Sequence, residues 1–277
     1  MSIQSLIVWK PFNKAYIMKN QFNKDELKLL VGVCLTLFTI PLTITSSSVF
    51  NLSIMLKYNV NYYQSQWFIT LYMIFYASFM AVSGSFADIF GRNKIFITGL
   101  VLILLSFLAG AFTSRYILLL ASRAICGIGA AAVTTSGTAL LAANISGEKN
   151  NKAFSIFGCA LGIGMVCGPL IAGYANQMIN GWKIFSLSMS GLLLFILCLS
   201  FSVVDKRINV EVSVDWIGGI LLTISLLLTV LALSFMPLWG YFDSKSLLCF
   251  FGGFIGFFIL ILFEKNNPNP NPIRERD

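Results

Sequence analysis

Long apolar runs broken by short charged interruptions set the pattern of this chain. Stretches free of Asp, Glu, Lys and Arg occupy residues 29–56, 58–87, 95–114, 124–147, 153–182, 184–204, 216–242 and 246–263. A helix needs roughly 20 residues to cross a ~30 Å hydrocarbon core, and each run meets or nearly meets that length. A transmembrane β-barrel would alternate apolar and polar positions, which these runs do not. The pattern predicts an all-α polytopic membrane protein with about eight transmembrane helices, near 29–50, 66–86, 95–113, 117–140, 153–176, 184–204, 216–237 and 246–263. The fourth begins near Tyr116 and so contains Arg123. The first follows 28 mixed residues and lacks a small-residue cleavage site, which argues against a cleavable signal peptide.

Composition agrees with the pattern. Hydrophobic residues make up 57% of the 277 and charged ones 11%, against about 25% charge in soluble domains. The formal net charge of +8 acquires a meaning from its placement. With the N-terminus inside, fourteen Lys and Arg lie in cytoplasmic segments and four (Lys57, Arg115, Lys183, Lys245) lie outside. That asymmetry predicts both termini in the cytoplasm and makes nucleic-acid binding an unnecessary explanation of the basic balance. Trp67, Trp182, Trp216 and Trp239 fall at predicted span ends, as an interfacial aromatic belt requires. Six cysteines sit inside apolar spans, with no Cys-x-x-Cys and no histidine in the chain. The expectation is buried thiols, with no metal, disulfide framework or cofactor. Without histidine or an intramembrane carboxylate, an enzyme is a poor reading.

Five segments carry candidate chemistry. The turn Gly84-Ser-Phe-Ala-Asp88-Ile-Phe-Gly91-Arg92-Asn93-Lys94 sets an acid beside bases between two spans, which suits a charge lock or an ordinary topogenic loop. Arg123 lies about 10 Å into its helix, where an arginine costs about 3 kcal/mol and requires a cavity, a partner or snorkelling to the surface. Arg123, Gly127, Ala131, Thr134 and Thr138 share a face, small and polar beneath a cation, as a water-accessible pathway would be. In the fifth span, Gly162-Ile-Gly164-Met-Val-Cys-Gly168-Pro169-Leu-Ile-Ala172-Gly173 combines close-packing glycines with a kinking proline. Thr36, Thr39, Thr43, Ser47 and Asn51 form a polar stripe on the first helix, fit to line a cavity or to bond between helices. Tyr72, Phe75, Tyr76 and Phe79 run along the second, where rings suit cationic or planar ligands and lipid equally.

Taken in order on spans two to five, the first three segments resemble the signatures of the major facilitator superfamily. The 84–94 turn resembles the signature between its second and third helices. The Arg123 segment resembles that of its fourth helix, whose arginine is implicated in proton coupling, and the 164–173 string resembles the antiporter signature of its exporters. Val214-Asp215-Trp216-Ile-Gly218-Gly219 and the following two spans resemble the linking helices of the fourteen-helix drug:proton antiporters, the EmrB/QacA-like group.

The resemblance implies a cytoplasmic segment 1–28, a six-helix bundle 29–204, a linker 205–215, two linking helices 216–263 and a polar tail 264–277. It implies a multi-pass inner-membrane exporter of drugs or metabolites, by alternating access and proton antiport. Its partners would be the lipid bilayer, a small-molecule substrate and protons, and no nucleic acid. The site residues would be Arg123, Thr43, Ser47, Asn51 and Thr134 for transport and coupling. Gly84, Asp88, Gly91 and Arg92 would form the conformational lock, and Gly164, Gly168, Pro169 and Gly173 the antiporter motif.

The sequence departs from the pattern in three places. Ile89 and Asn93 replace usual basic residues of the first signature, and Thr43 stands where the group carries a first-helix aspartate. Threonine does not titrate, so Arg123 lacks its expected partner. Full members of the group are about twice as long, so the alternative is a truncated or half transporter that needs a missing C-terminal half. A homodimer built through Gly252, Gly253 and Gly256 would serve the same end.

Overall fold

The computed structural model describes residues 22–200 and 216–266. Eight helices fill them, with no strand among the described residues: α1 Lys24–Tyr58, α2 Tyr62–Phe90, α3 Arg92–Phe112, α4 Tyr116–Asn144, α5 Glu148–Asn176, α6 Gly181–Ser200, α7 Trp216–Trp239 and α8 Ser244–Asn266. All eight are long and apolar enough to cross a membrane. The expected terminal segments (1–21 and 267–277), the linker at 205–215 and the last turn of the sixth span (201–204) lie outside the described residues. So does Asp215, at the mouth of the seventh span, and of Trp216 only the backbone is described.

Local chemistry fixes the helix ends. Asn23 with Glu26 and Asn61 with Gln64 form reciprocal capping boxes at the starts of α1 and α2. Asn59 closes α1 in the left-handed region, at φ 52°. Gly91, at φ 101°, is the whole connection between α2 and α3, a conformation strained for any side chain. α1, at 35 residues, is about 52 Å long by helical rise and therefore projects beyond a hydrocarbon core.

α4 is the central helix, wedged between α2 and α3, while α1 pairs with α5 and α3 with α6. Glycine makes these approaches possible. A Cβ at Gly127 would lie 2.5 Å from the Tyr72 carbonyl of α2. Two residues on, Gly129 of α4 faces Gly99 of α3, each with its carbonyl under 3 Å from the other's would-be Cβ. α7 and α8 pack on each other and touch the rest through α2. There Trp67 packs at a tilt on Phe235 at 4.0 Å, and Phe235 stacks on Trp239 at 4.3 Å.

At one end of the bundle, here the basic end, Lys149 Nζ donates to Glu26 Oε2 at 3.1 Å and joins the starts of α1 and α5. At the opposite end, the rings of Tyr58 and Tyr116 meet at a tilt, 5.9 Å between centroids, which sets the end of α1 level with the start of α4.

Candidate functional site

Arg123 is the largest fully buried side chain of the bundle, at 0% exposure. Its guanidinium carbon lies 4.8 Å from the Phe68 ring centroid (α2), 5.1 Å from Phe107 (α3) and 4.7 Å from Trp182 (α6). Nε, Nη1 and Nη2 have no hydrogen-bond partner among the described residues. Tyr72, whose hydroxyl is likewise unpartnered, and Cys126 lie within electrostatic reach. Three rings from three helices thus hold one bare cation by the negative faces of their π-systems. Snorkelling to the surface does not occur. The expected open pathway beneath Arg123 is also absent from this conformation, because Gly127 and Ala131 are closed against neighbouring helices. Thr134 lies lower on α4, half-buried, with its Oγ1 3.3 Å from the Tyr76 hydroxyl.

Trp182 requires a correction. Expected in the interfacial belt, it is 3% exposed, donates from Nε1 to the Gly110 carbonyl at 3.0 Å, and packs edge-on to Phe50 and Phe68. Position at a span end suggested the belt; the glycine-thinned α3 and a cation needing rings draw it inward. The sequence carried no signal for Phe68 or Phe107 beyond their hydrophobicity.

The first-helix stripe is closed as well. Thr43 and Ser47 are each 3% exposed, and the hydroxyls of Thr36, Thr39, Thr43 and Ser47 donate to carbonyls three or four residues back in α1. They line no open cavity here, because a backbone acceptor lies within reach of each. Thr43 and Arg123 are also on different levels. Thr43 is fifteen residues from Tyr58, about 22 Å, whereas Arg123 is seven from Tyr116, about 10 Å. Asn51, seven residues from Tyr58, shares the level of Arg123, and its Oδ1 has no partner among the described residues.

In the turn at the basic end, Arg92 Nη2 reaches Asp88 Oδ1 at 3.5 Å, and Nη1 donates to the Ala139 carbonyl of α4 at 3.3 Å. One side chain therefore ties α2, α3 and α4 together. Gly84 makes no close approach, since nothing lies within 4 Å of its would-be Cβ; Gly91 alone requires glycine there.

Of the 164–173 string, Gly164 faces the Phe38 carbonyl and Gly168 faces Thr45 and the Leu42 carbonyl, both on α1. Ala172 continues this face, fully buried, while Pro169 is exposed. Gly173 meets nothing, being one residue off the four-residue repeat. Gly253 and Gly256 of α8 pack on Ser225 and Thr229 of α7, so the face expected to build a homodimer is occupied within the chain. Cys34 and Cys126 are buried as expected, but Cys159 and Cys198 are exposed on the outer helix faces.

Relatives place this geometry in a family. The chain is 25% identical over 252 residues to an uncharacterized MFS-type transporter, YvkA, of Bacillus subtilis, covering 91% of this chain and 55% of the relative. It is 26% identical over 253 residues to the multidrug resistance protein Stp of Mycobacterium tuberculosis, covering 90% and 46%. The chain thus spans about half the length of these curated relatives. Its fold is similar to that of a crystallised peptide transporter, POT, at TM-score 0.61 and 16% identity, covering 86% of this chain and 52% of that one. A family model described as the Major Facilitator Superfamily matches residues 32–264, and the chain belongs to that superfamily, a family of membrane transporters rather than enzymes.

Proposed function

We propose that this chain is the first bundle, residues 29–204, with two linking helices, 216–263, of a transporter that exports small organic molecules by alternating access in exchange for protons. It is read as sitting in the cell's inner membrane with the basic end in the cytoplasm. The observation that carries the reading is the α1–α5 contact through Gly164 and Gly168, which lies in the string that resembles the exporter signature. The similarity to Stp, a multidrug resistance protein, supports a drug-like substrate. Asp88, Gly91 and Arg92 lock the basic end when the transporter closes there. Arg123, with Asn51 at its level, senses charge in the pathway, and Thr134 borders that pathway through Tyr76. Pro169 lets α5 bend on α1 as the bundle rocks.

The test is ethidium accumulation in cells lacking their own exporters. Cells expressing the chain should hold less dye than empty-vector cells, and an uncoupler should erase the difference. Equal accumulation at all uncoupler concentrations sinks export by this chain alone.

A second reading, favoured by the half-length coverage of the relatives, is that transport requires a second six-helix body. Under it, export appears only when such a body is co-expressed, and the two should co-purify.

A further inference from the structure

At the opposite end of the bundle a cavity of about 380 Å³ opens between the last turn of α1 and the α5–α6 turn. Lys57 and Lys183 line it from α1 and α6, each ammonium 5.1 Å from an aromatic ring centroid, Tyr58 and Phe112 respectively. The two charges are near enough to repel each other, and no carboxylate among the described residues lines the cavity. Ser53, Asn176 and Asn180 supply the remaining polar groups, with the Ser53 hydroxyl donating to Asn176 Oδ1. Here too begins α6, a 20-residue helix whose first N–H groups, on Gly181 and Trp182, take no backbone carbonyl. Two lysines and a positive helix end thus border one space lined by no carboxylate among the described residues.

The rim has the opposite character. Leu56, which lines the basic cavity, is 76% exposed, and Ile179, between the lining residues Met178 and Asn180, is 90% exposed. A soluble anion has no use for such a rim, whereas a phospholipid presents a phosphate above apolar chains at this depth.

We propose that this cavity binds the phosphate of an anionic phospholipid at the membrane surface. Lys57, Lys183 and the α6 N-terminus hold the headgroup, and Leu56 and Ile179 lie against the acyl chains. The bound lipid bridges α1 to the α5–α6 turn and relieves the repulsion between the two lysines.

The test is native mass spectrometry of the full chain, released from detergent after incubation with phosphatidylglycerol or phosphatidylcholine. Phosphatidylglycerol should be retained in preference. Retention should fall about fivefold on losing either lysine and about thirtyfold in the K57Q/K183Q variant, from the contribution of each basic residue near an anionic surface. The K57R/K183R variant should retain the lipid, and K245Q, which alters an exposed lysine at the same end outside the cavity, should match the parent. Should K57Q/K183Q fail to purify, the two single variants decide. Equal retention of both lipids, or unchanged retention in the lysine variants, overturns the site. Displacement of the lipid by millimolar inorganic phosphate overturns the lipid assignment in favour of a soluble oxyanion.

Discussion

Replacing Arg123 by methionine should separate stability from transport. The arginine brings a charge to a place with no hydrogen-bond acceptor among the described residues. An arginine inside a span costs about 3 kcal/mol on the lenient insertion scale. The three rings at 4.7, 4.8 and 5.1 Å share a single cation, and a desolvated cation–π contact contributes about 2 kcal/mol. The balance is about 1 kcal/mol against the arginine. Methionine is of similar length and apolar, and its sulfur makes favourable ring contacts of about 0.3–1.5 kcal/mol. The Arg123→Met variant should therefore melt at or above the parent temperature, by about 2–4 °C for each kcal/mol gained. The assay is thermal unfolding of the purified full chain, followed by thiol-reactive fluorescence, beside dye export in cells. Export should be lost in the variant that is no less stable. A melting temperature lowered by about 10 °C or more would refute the balance, showing that the cage favours the cation by several kcal/mol. Full export in Arg123→Met would remove Arg123 from the transport machinery. Arg123→Lys tests the rings separately, because an ammonium lacks the planar face that stacks on them.

Two further predictions concern the helix contacts. Gly164→Ala and Gly168→Ala should each destabilise the chain by about 1–3 kcal/mol, since a methyl there meets α1 backbone. Gly173→Ala should be neutral or stabilising by up to about 1 kcal/mol through helix propensity; similar melting temperatures for all three would refute the α1–α5 contact. Asp88→Asn should shift stability by less than about 1 kcal/mol, as expected for an exposed pair, yet slow export. Arg92→Gln, which also surrenders the Ala139 carbonyl, should slow it further, and equal export by both variants would deny the tie to α4 a role.

The eight helices were legible in the charge gaps, because a bilayer imposes length and apolarity on every span. The start of α4 at Tyr116 follows from the same gaps, and the spacing of Gly164 and Gly168 marks a close helix contact. What the gaps could not show is which face of a helix meets which neighbour. Gly173 and Gly84 looked like their neighbours in the motifs but lie off the contact faces. Gly99 carries no local signal, because its partner, Gly129, lies thirty residues away on another helix. The burial of Trp182 is hidden for the same reason. Nothing local distinguishes an indole at a span end that faces lipid from one turned in toward a cation on α4. Position 43 and Arg123 lie on different levels by simple rise along two antiparallel helices, whose relative height the Tyr58–Tyr116 contact marks.

The hydroxyls of α1 have a consequence for motion. A helix in hydrocarbon that bends must part some carbonyls from their amide donors, and no solvent stands ready to replace them. From Thr36 to Ser48, α1 carries hydroxyl donors on nearly every turn, already resting on its own carbonyls around Pro41. Such side chains act as water that the helix brings with it. They lower the cost of curvature in the middle of the longest helix, so α1 can flex within the bilayer while its ends stay fixed by Glu26 and Tyr58.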